Sequence, residues 1–364
     1  MIKKVFCSGI KRPGEIVSLI LILFLICGSA LAATITVQSG ESIQEAIDQA
    51  RSGDVIEVMS GTYQGTLDIK KEVALMGIDS GEGMPVIDAG SILGSVFMTA
   101  NNSQISGFKI VNPNGDGIDV TSSHNMISNN TIEACGAAIY LMVSDKNKIV
   151  NNNATVRCQG VMGLLSSDGI MLAHSDENII EGNTASGASM GIYLYYSHNN
   201  TILNNAALSN DHGIAIKGSR DNIIQENRAI GNKEEGIGLL NGCSGNTVTK
   251  NNVTGNSIGI YLRESNHNTI YLNDFIDNLQ NALSSDSENI WHSPEQVSYS
   301  SAGKSYTGLL GNYWSDYEGN DSDGDGLGDA SHSFEYDGQD DHPLMTPSSD
   351  LIKPKMTHKG MVID

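Results

Sequence analysis

The chain is short of phenylalanine, of basic charge, of cysteine and of long apolar runs, and each shortage removes a class of answer. Six phenylalanines against forty glycines do not suit a solenoid of packed helices, whose repeats run longer and carry apolar residues at 3.6-residue spacing. Lys and Arg number 21 against 42 Asp and Glu, for a net charge of −21. Such a chain has no electrostatic footprint for nucleic acid or anionic lipid. It also repels a polyuronate unless a cation lies between them. Beyond the N-terminal leader only Cys135, Cys158 and Cys243 remain, too few for a disulfide framework. Cys135 and Cys158 fall in neighbouring repeats, where a disulfide and two buried free thiols are both open. The strongly apolar run Ile16 to Cys27 is too short to span a bilayer.

That run follows Lys3, Lys4, Lys11 and Arg12 and precedes Ala30-Leu31-Ala32, a small-x-small cleavage site. Residues 1–32 therefore read as a secretory signal peptide, with the mature chain starting near Ala33. Cys27 follows Ile26, where a lipid-attachment signal would need a small residue. Four bases and Glu15 leave with the leader, a net of +3, so the remainder carries −24. No second membrane-length apolar segment follows, and residues 348–364 read as a polar tail without an anchor. The expectation is an extracellular, cell-surface or periplasmic protein with no membrane span after signal cleavage.

What the chain does have is a repeat. Asn-x-Ile/Val-x-x-Asn starts at Asn125, Asn147, Asn178, Asn200, Asn222, Asn246 and Asn268, with spacings of 22, 31, 22, 22, 24 and 22. An apolar residue stands two places after each second Asn, and a Gly/Ala-Ile segment such as Gly191-Ile192 lies about eight residues before each motif. In Gly191-Ile192-Tyr193-Leu194, period two turns Ile192 and Leu194 to one face and Tyr193 to the other. Each coil then holds three strands too short to bury an apolar face alone. Stacking places Ile on Ile and Asn on Asn about 4.8 Å apart, with the Asn columns at turns, where Asn tolerates left-handed backbone and bonds its neighbour. A third column, Asn210, Asn232, Asn256 and Asn278, belongs to the later coils. The fold class expected is all-β: a right-handed parallel β-helix of coils about 22 residues long.

The ends differ. Ser42-Ile43-Gln44-Glu45 is a capping box, and Ile43, Ala46, Ile47 and Ala50 give a short helix an apolar face over the open N-terminal end, where bare strand edges invite aggregation. Residues 33–100 read as the N-terminal cap and first coils, 101–286 as the repeats, and 287–347 as an irregular C-terminal cap holding both tryptophans.

Ser42 to Tyr63 resembles the opening of pectin-lyase-like β-helices, and the Asn-x-Ile-x-x-Asn coils resemble the NosD-type family of carbohydrate-binding and sugar-hydrolysis repeats. Gly311-Asn312-Tyr313-Trp314-Ser315-Asp316-Tyr317, the run Asp321 to Asp329 and His342-Pro343-Leu344-Met345 resemble the C-terminal signature of secreted NosD-like proteins. The resemblance implies the fold across nearly the whole mature chain. It implies copper delivery only if soft or imidazole ligands converge. His124 and His267 stand at matching turns six coils apart, about 29 Å by strand spacing, and Met171 with His174 is the close soft pair.

Three sets of residues carry candidate chemistry. Asp321, Asp323, Asp325 and Gly326 reproduce the start of an EF-hand loop with Asp329 at its ninth position, which points to structural Ca²⁺; His332 replaces the bidentate Glu of the twelfth. Asp116 and Asp168 share a column two coils apart, roughly 9.6 Å by strand spacing, near the carboxylate separation of inverting glycosidases. Asp119, Asp211, His212 and Lys217 complete the candidate catalytic set. Asn114 to Asp119 is similar to the Asn-Thr-Asp segment of polygalacturonases, but Ala137-Ala138 stands where that family pairs aspartates, and its Gly-His-Gly and Arg-Ile-Lys segments are absent. Finally, Tyr140, Tyr193 and Tyr195 with Met171 form an outward stripe flanked by Lys217 and Arg263, suited to stacking sugars; Tyr140, Tyr193, Tyr195 and Arg263 are the candidate carbohydrate contacts. The functional expectation is a secreted β-helix that binds polysaccharide along one face. The alternatives are a polysaccharide lyase, hydrolase or epimerase, and a NosD-like periplasmic copper-delivery accessory. Six sequons, at Asn101, Asn129, Asn153, Asn199, Asn252 and Asn320, permit N-glycosylation.

Overall fold

The computed structural model describes residues 32–90, 94–158 and 167–352. The expected signal peptide lies outside them up to residue 31, as do residues 159–166 of the extra loop in the 31-residue coil and the tail from 353. The chain winds into a right-handed parallel β-helix of about eleven coils. Each coil visits three sheets in turn, and each sheet has eleven strands.

Registers set the core. In the first sheet Ile105, Ile127, Ile149, Ile180, Ile202, Ile224, Val248 and Ile270 stack one on the next, and all are fully buried. The third sheet contributes two such columns, one of Ile118, Ile139, Ile170, Ile192, Ile214, Ile237 and Ile260, the other running from Val120 through Leu194 to Leu262. Opposite them the second sheet offers small residues, Ala154, Ala185, Ala207 and Ala229. This explains the Gly-Ile signature at Gly191: a Cβ there would come 2.7 Å from Asn210 Nδ2 and 3.0 Å from Ala207 Cβ, so at this coil the corner between the two sheets closes over glycine, while Ala138 fills the same place two coils earlier.

The turns are held by amide ladders. The backbone N–H of Asn200 donates to Asn222 Oδ1 (2.8 Å), its Nδ2 donates to the same oxygen (3.1 Å), and Asn222 Nδ2 donates to the Ser197 carbonyl (3.1 Å). The pattern repeats down both long columns and the shorter third. One expectation is corrected. The left-handed backbone falls on the residue before each ladder Asn (Asn199, Asn204, Asp221, Glu226), not on the ladder Asn itself. The ladder positions select Asn for its amide, which can accept and donate along the axis at once. A further ladder went unread: Ser144, Ser175, Ser197 and Ser219 stack at the turn after the third sheet, and the hydroxyls of Ser175, Ser197 and Ser219 each accept the backbone N–H of the serine one coil before. Cys243 takes a place in that column and donates its thiol to the Ile216 carbonyl.

Helix α1 (Ile43–Gln49) covers the N-terminal end, with Ser42 Oγ accepting from the Glu45 N–H at 3.2 Å. At the other end Trp314 stacks on Phe275 (centroids 4.5 Å apart) beside Trp291 and Phe334. The second Asn ladder ends there. Asn312 donates its N–H (2.7 Å) and its Nδ2 (3.2 Å) to Asp340 Oδ2, which also accepts from Trp314 Nε1 (3.0 Å). Burial raises the Asp340 pKa against these bonds. The segment from Ser348 is not simply a polar tail: it opens with helix α2 (Ser348–Leu351), whose Leu351 is buried in a cluster with Tyr299, Leu310 and Leu344. One leucine among polar residues gave too weak a pattern to read. Cys135 and Cys158 are joined in a disulfide at the base of the long coil.

Ile202→Asp or Ile224→Asp is expected to abolish folding, since each buries a charge without a partner, whereas Tyr193→Ser keeps the far-UV spectrum. Asn222→Ala strands two donors of Asn200 and the Ser197 carbonyl, and should lower stability in urea by at least about 3 kcal/mol. Equal tolerance at these sites would contradict the assigned faces.

Candidate functional site

The outer face of the third sheet collects most of the candidate residues, because period two sends alternate side chains outward while their neighbours fill the core. Its central column runs Phe97, Asp119, Tyr140, Met171, Tyr193, Ala215, Gly238 and Tyr261. The next column carries Met142, Ala173, Tyr195, Lys217, Leu240 and Arg263.

At the N-terminal end of this face, Asp119 stands between Phe97 and Tyr140 and close to Asp116. Burial, reinforced by the Asp116 charge, pushes the Asp119 carboxyl up to about 7. Its Oδ1 is buried with no hydrogen-bond partner among the described residues. Asp116 is also raised by burial, although its Oδ1 accepts from the Ala137 N–H at 2.6 Å. Two glycines make the room: a Cβ at Gly94 would collide with Asp119 Oδ2, and one at Gly136 with Asp116 Oδ1. Burial and both carboxyls raise the Tyr140 phenol. Asp168 is 4 % exposed, closed off from the solvent that an open water between two carboxylates would need. Burial first, then the Asp168 charge, pushes Tyr193 up to about 12.

Midway along the face the tyrosines group. Tyr193 and Tyr195 lie 6.1 Å apart, Tyr195 meets Tyr196 edge-on at 4.6 Å, and His174 stacks on Tyr196 at 5.7 Å. Lys217 Nζ sits 5.9 Å from the Tyr195 ring centroid. Tyr196 was missed in the sequence. It is 43 % exposed and has φ of 45°, a strained conformation for an aromatic residue, and its ring lies where any side chain at Gly218 would collide. The Tyr195-Tyr196 doublet at the strand end was the available signal.

The other candidates stand apart. His212 Nδ1 bonds Glu235 Oε2 at 2.9 Å, and that bond is the main reason the imidazole pKa is raised. Glu235, overlooked as a site residue, fills the space above Gly238. Asp211 pairs with Lys233 at 2.7 Å. Lys217 is at the far end of the strand His212–Lys217, and Arg263 is turned to Asn241 Oδ1 at 3.2 Å. Asp116 and His212 are four coils apart, so Asp116, Asp168, Asp211, His212 and Lys217 do not form one constellation.

At the C-terminal cap Asp321, Asp323 and Asp325 each present an oxygen within 4.8 Å of the others. Loop N–H groups already converge there: Asp321 Oδ1 accepts from Gly324 and Oδ2 from Gly326. Asp329 stands outside the trio, accepting from the Ser322 N–H at 3.0 Å. His332 is turned to Asp316 (3.5 Å) and the Trp314 ring instead. Burial, the main cause, pushes Tyr299 up to about 12, reinforced by Asp325.

The family model described as periplasmic copper-binding protein (NosD) matches residues 86–155 and 153–319. The chain belongs to the NosD family. No curated protein sequence matches it. Among solved structures, pectate lyase Pel9A is similar at 16 % identity and TM-score 0.56, over 72 % of this chain and 80 % of that one. The A-module of the Azotobacter vinelandii mannuronan C-5 epimerase AlgE4 is similar at 19 % identity and TM-score 0.52, over 68 % and 76 %. The polygalacturonase from Erwinia carotovora ssp. carotovora follows at 11 % and 0.54, over 71 % and 93 %. At these identities the likeness is one of fold. No group of three converging His, Cys, Asp or Glu side chains among the described residues includes the thiolate or imidazole that the copper of the NosD description calls for. Among the described residues, the His, Cys, Asp and Glu side chains that converge in a group of three are Asp321, Asp323 and Asp325, hard oxygen donors that suit Ca²⁺ rather than copper. No helix among the described residues of this NosD chain is long and apolar enough to cross a membrane.

Asp119 supplies a pH signature. Its pKa rises from an ordinary 3.8 to about 7 on folding, so the folded state binds more protons between those values and stability falls as pH rises through them. Melting temperature should decline from about pH 4 to pH 7, and Asp119→Asn should flatten that slope; an unchanged slope would mean that Asp119 is solvated.

Proposed function

We propose that the protein is exported and binds a polysaccharide along the outer face of the third sheet, with Ca²⁺ at the Asp-rich loop. The observation that carries this is the group Tyr193, Tyr195, Tyr196 and His174, rings clustered where the sheet face passes into its turns, with Lys217 at the rim. Such rings offer apolar faces to the C–H side of a sugar, and their hydroxyls bond its rim. The fold neighbours lend support, being a lyase, an epimerase and a polygalacturonase. The acidity of the chain, −21 overall, favours a neutral or cationic glycan. Tyr193→Ala with Tyr195→Ala should weaken retention on a glycan panel by about 1–3 kcal/mol, the range for burying a large apolar side chain, with little change in melting temperature. Unchanged retention would remove this face from consideration.

A second reading, polysaccharide cleavage or epimerisation, draws on Asp116, Asp119 and Tyr140. An acid still protonated near neutral pH beside a phenol can serve proton transfer to or from a sugar oxygen. The same panel tests it through new reducing or unsaturated ends.

For Ca²⁺, the support is the convergence of Asp321, Asp323 and Asp325. A ligand that binds only the folded state adds stability. Chelation should therefore lower the melting temperature, and Asp323→Ala with Asp325→Ala should lower it without chelator and abolish the further shift. With His332 turned away, affinity is expected near the weak extracellular range of about 10⁻⁴–10⁻³ M. No calorimetric heat at millimolar Ca²⁺, together with an unmoved melting curve, would refute it.

A further inference from the structure

Beyond the sheet face, at the C-terminal corner of the solenoid, lies a cavity of about 570 Å³. Four carboxyl side chains line it, Asp286 and Glu288 from the last turn of the repeats and Asp337 and Asp341 from the cap, and its lining includes no Lys, Arg or His. Its aromatic wall is Trp291, which is 4 % exposed. The other tryptophan, Trp314, gives its indole N–H to Asp340. The Trp291 indole N–H has no acceptor among the described residues. A buried indole ordinarily finds one, and what keeps this one open is Gly338. Its φ is +117°, and a Cβ there would come 3.2 Å from Trp291 Nε1 and cover it.

The donors and acceptors left over define a ligand. Asp337 already accepts from the Asp286 N–H, Asp341 from Ser331 Oγ and Gln339 Nε2, and Asp286 from Ser285 Oγ. The carboxylate lone pairs that remain, and Glu288, call for a cation or for hydroxyl donors, the indole N–H calls for an acceptor oxygen, and the indole ring favours a cation near its face. A bare metal ion would leave the indole N–H unanswered. A uronate or phosphate would be repelled by the carboxyls. A sugar with hydroxyls and one ammonium group answers all three demands. We propose that this cavity is a binding site for a protonated amino sugar, a hexosamine unit of a glycan, held by Asp286, Glu288, Asp337 and Asp341 through its ammonium and by Trp291 Nε1–H through a ring hydroxyl.

The site is separate from the tyrosine group, so the two can fail independently. Glucosamine, its β-1,4-linked oligomers, N-acetylglucosamine and glucose are titrated into the full chain while tryptophan fluorescence is read. The amine-bearing sugars should change the emission of Trp291 and bind at least about tenfold more tightly than the two neutral ones. Asp286→Asn with Glu288→Gln should cost about tenfold in affinity with an unchanged melting curve, because neither side chain supports the core and Asn accepts the left-handed backbone at 286 (φ 50°). Trp291→Phe, read by calorimetry because the fluorophore is lost, should weaken the oligomers in a chain that stays folded at the assay temperature, although its melting temperature drops because Trp291 packs against Trp314 and Phe334. Tyr193→Ala with Tyr195→Ala should not affect them. Equal affinity for amine and neutral sugars, or no response to the glucosamine oligomers, would overturn the proposal. So would a Ca²⁺ signal that disappears in Asp286→Asn with Glu288→Gln while sugar binding stays constant.

Discussion

Everything in this molecule depends on the amide hydrogen bond between one coil and the next. A strand of three residues cannot stabilise itself, and the turns of a parallel solenoid leave backbone N–H and carbonyl groups in the interior. Asn answers both problems. Its carboxamide reproduces the peptide group, so one side chain accepts from the coil before it and donates to the coil after it. With the turns satisfied internally, isoleucines stack in register, and large aromatic residues enter the core at few places, Phe108 and the Phe275–Trp314 end among them. The outward column of the third sheet is then released from any duty in folding. Aromatic, acidic and small residues can stand there in any order, and they do, with Lys217 and Arg263 in the column beside them.

The same logic explains why some features could be read in the sequence and others could not. The ladders and isoleucine columns recur about every 22 residues, so the fold and its registers were plain from Asn125 to Asn278. The serine ladder has the same period but uses a residue common in any turn, and Cys243 interrupts it. Site residues have no period. Tyr140, Tyr193 and Tyr195 were found by counting outward from the repeat, whereas Tyr196 belongs to the turn, where counting stops. The candidate catalytic set shows the limit of column reasoning. Asp116 and Asp119 meet because glycines at 94 and 136 leave them space. Asp168 occupies the Asp116 column and is shut away, and His212 faces Glu235 instead. Columns fix where a residue stands; burial and partners, which decide its chemistry, come from the coils on either side.

The caps are the least periodic parts and hold the least expected chemistry. Asp-rich loops read well in sequence because ligand spacing is local, and the convergence of Asp321, Asp323 and Asp325 is such a local property. The cavity beside Trp291 joins residues 266–291 to 337–341, and no short-range pattern connects them.

Asp340 gives the solenoid an end. Down the second ladder each carboxamide oxygen points toward the coil before it and each amide nitrogen toward the coil after it, so the dipoles add with their positive pole at the C-terminal side. After Asn312 the next acceptor is the buried Asp340 carboxyl, all of whose hydrogen bonds are accepted ones. It complements the pole electrostatically, as an acidic residue does at a helix N-terminus, and it has no amide to hand on to another coil. A stack whose grammar would let it continue indefinitely, within one chain or from chain to chain, is thereby punctuated by one side chain that can receive but not transmit.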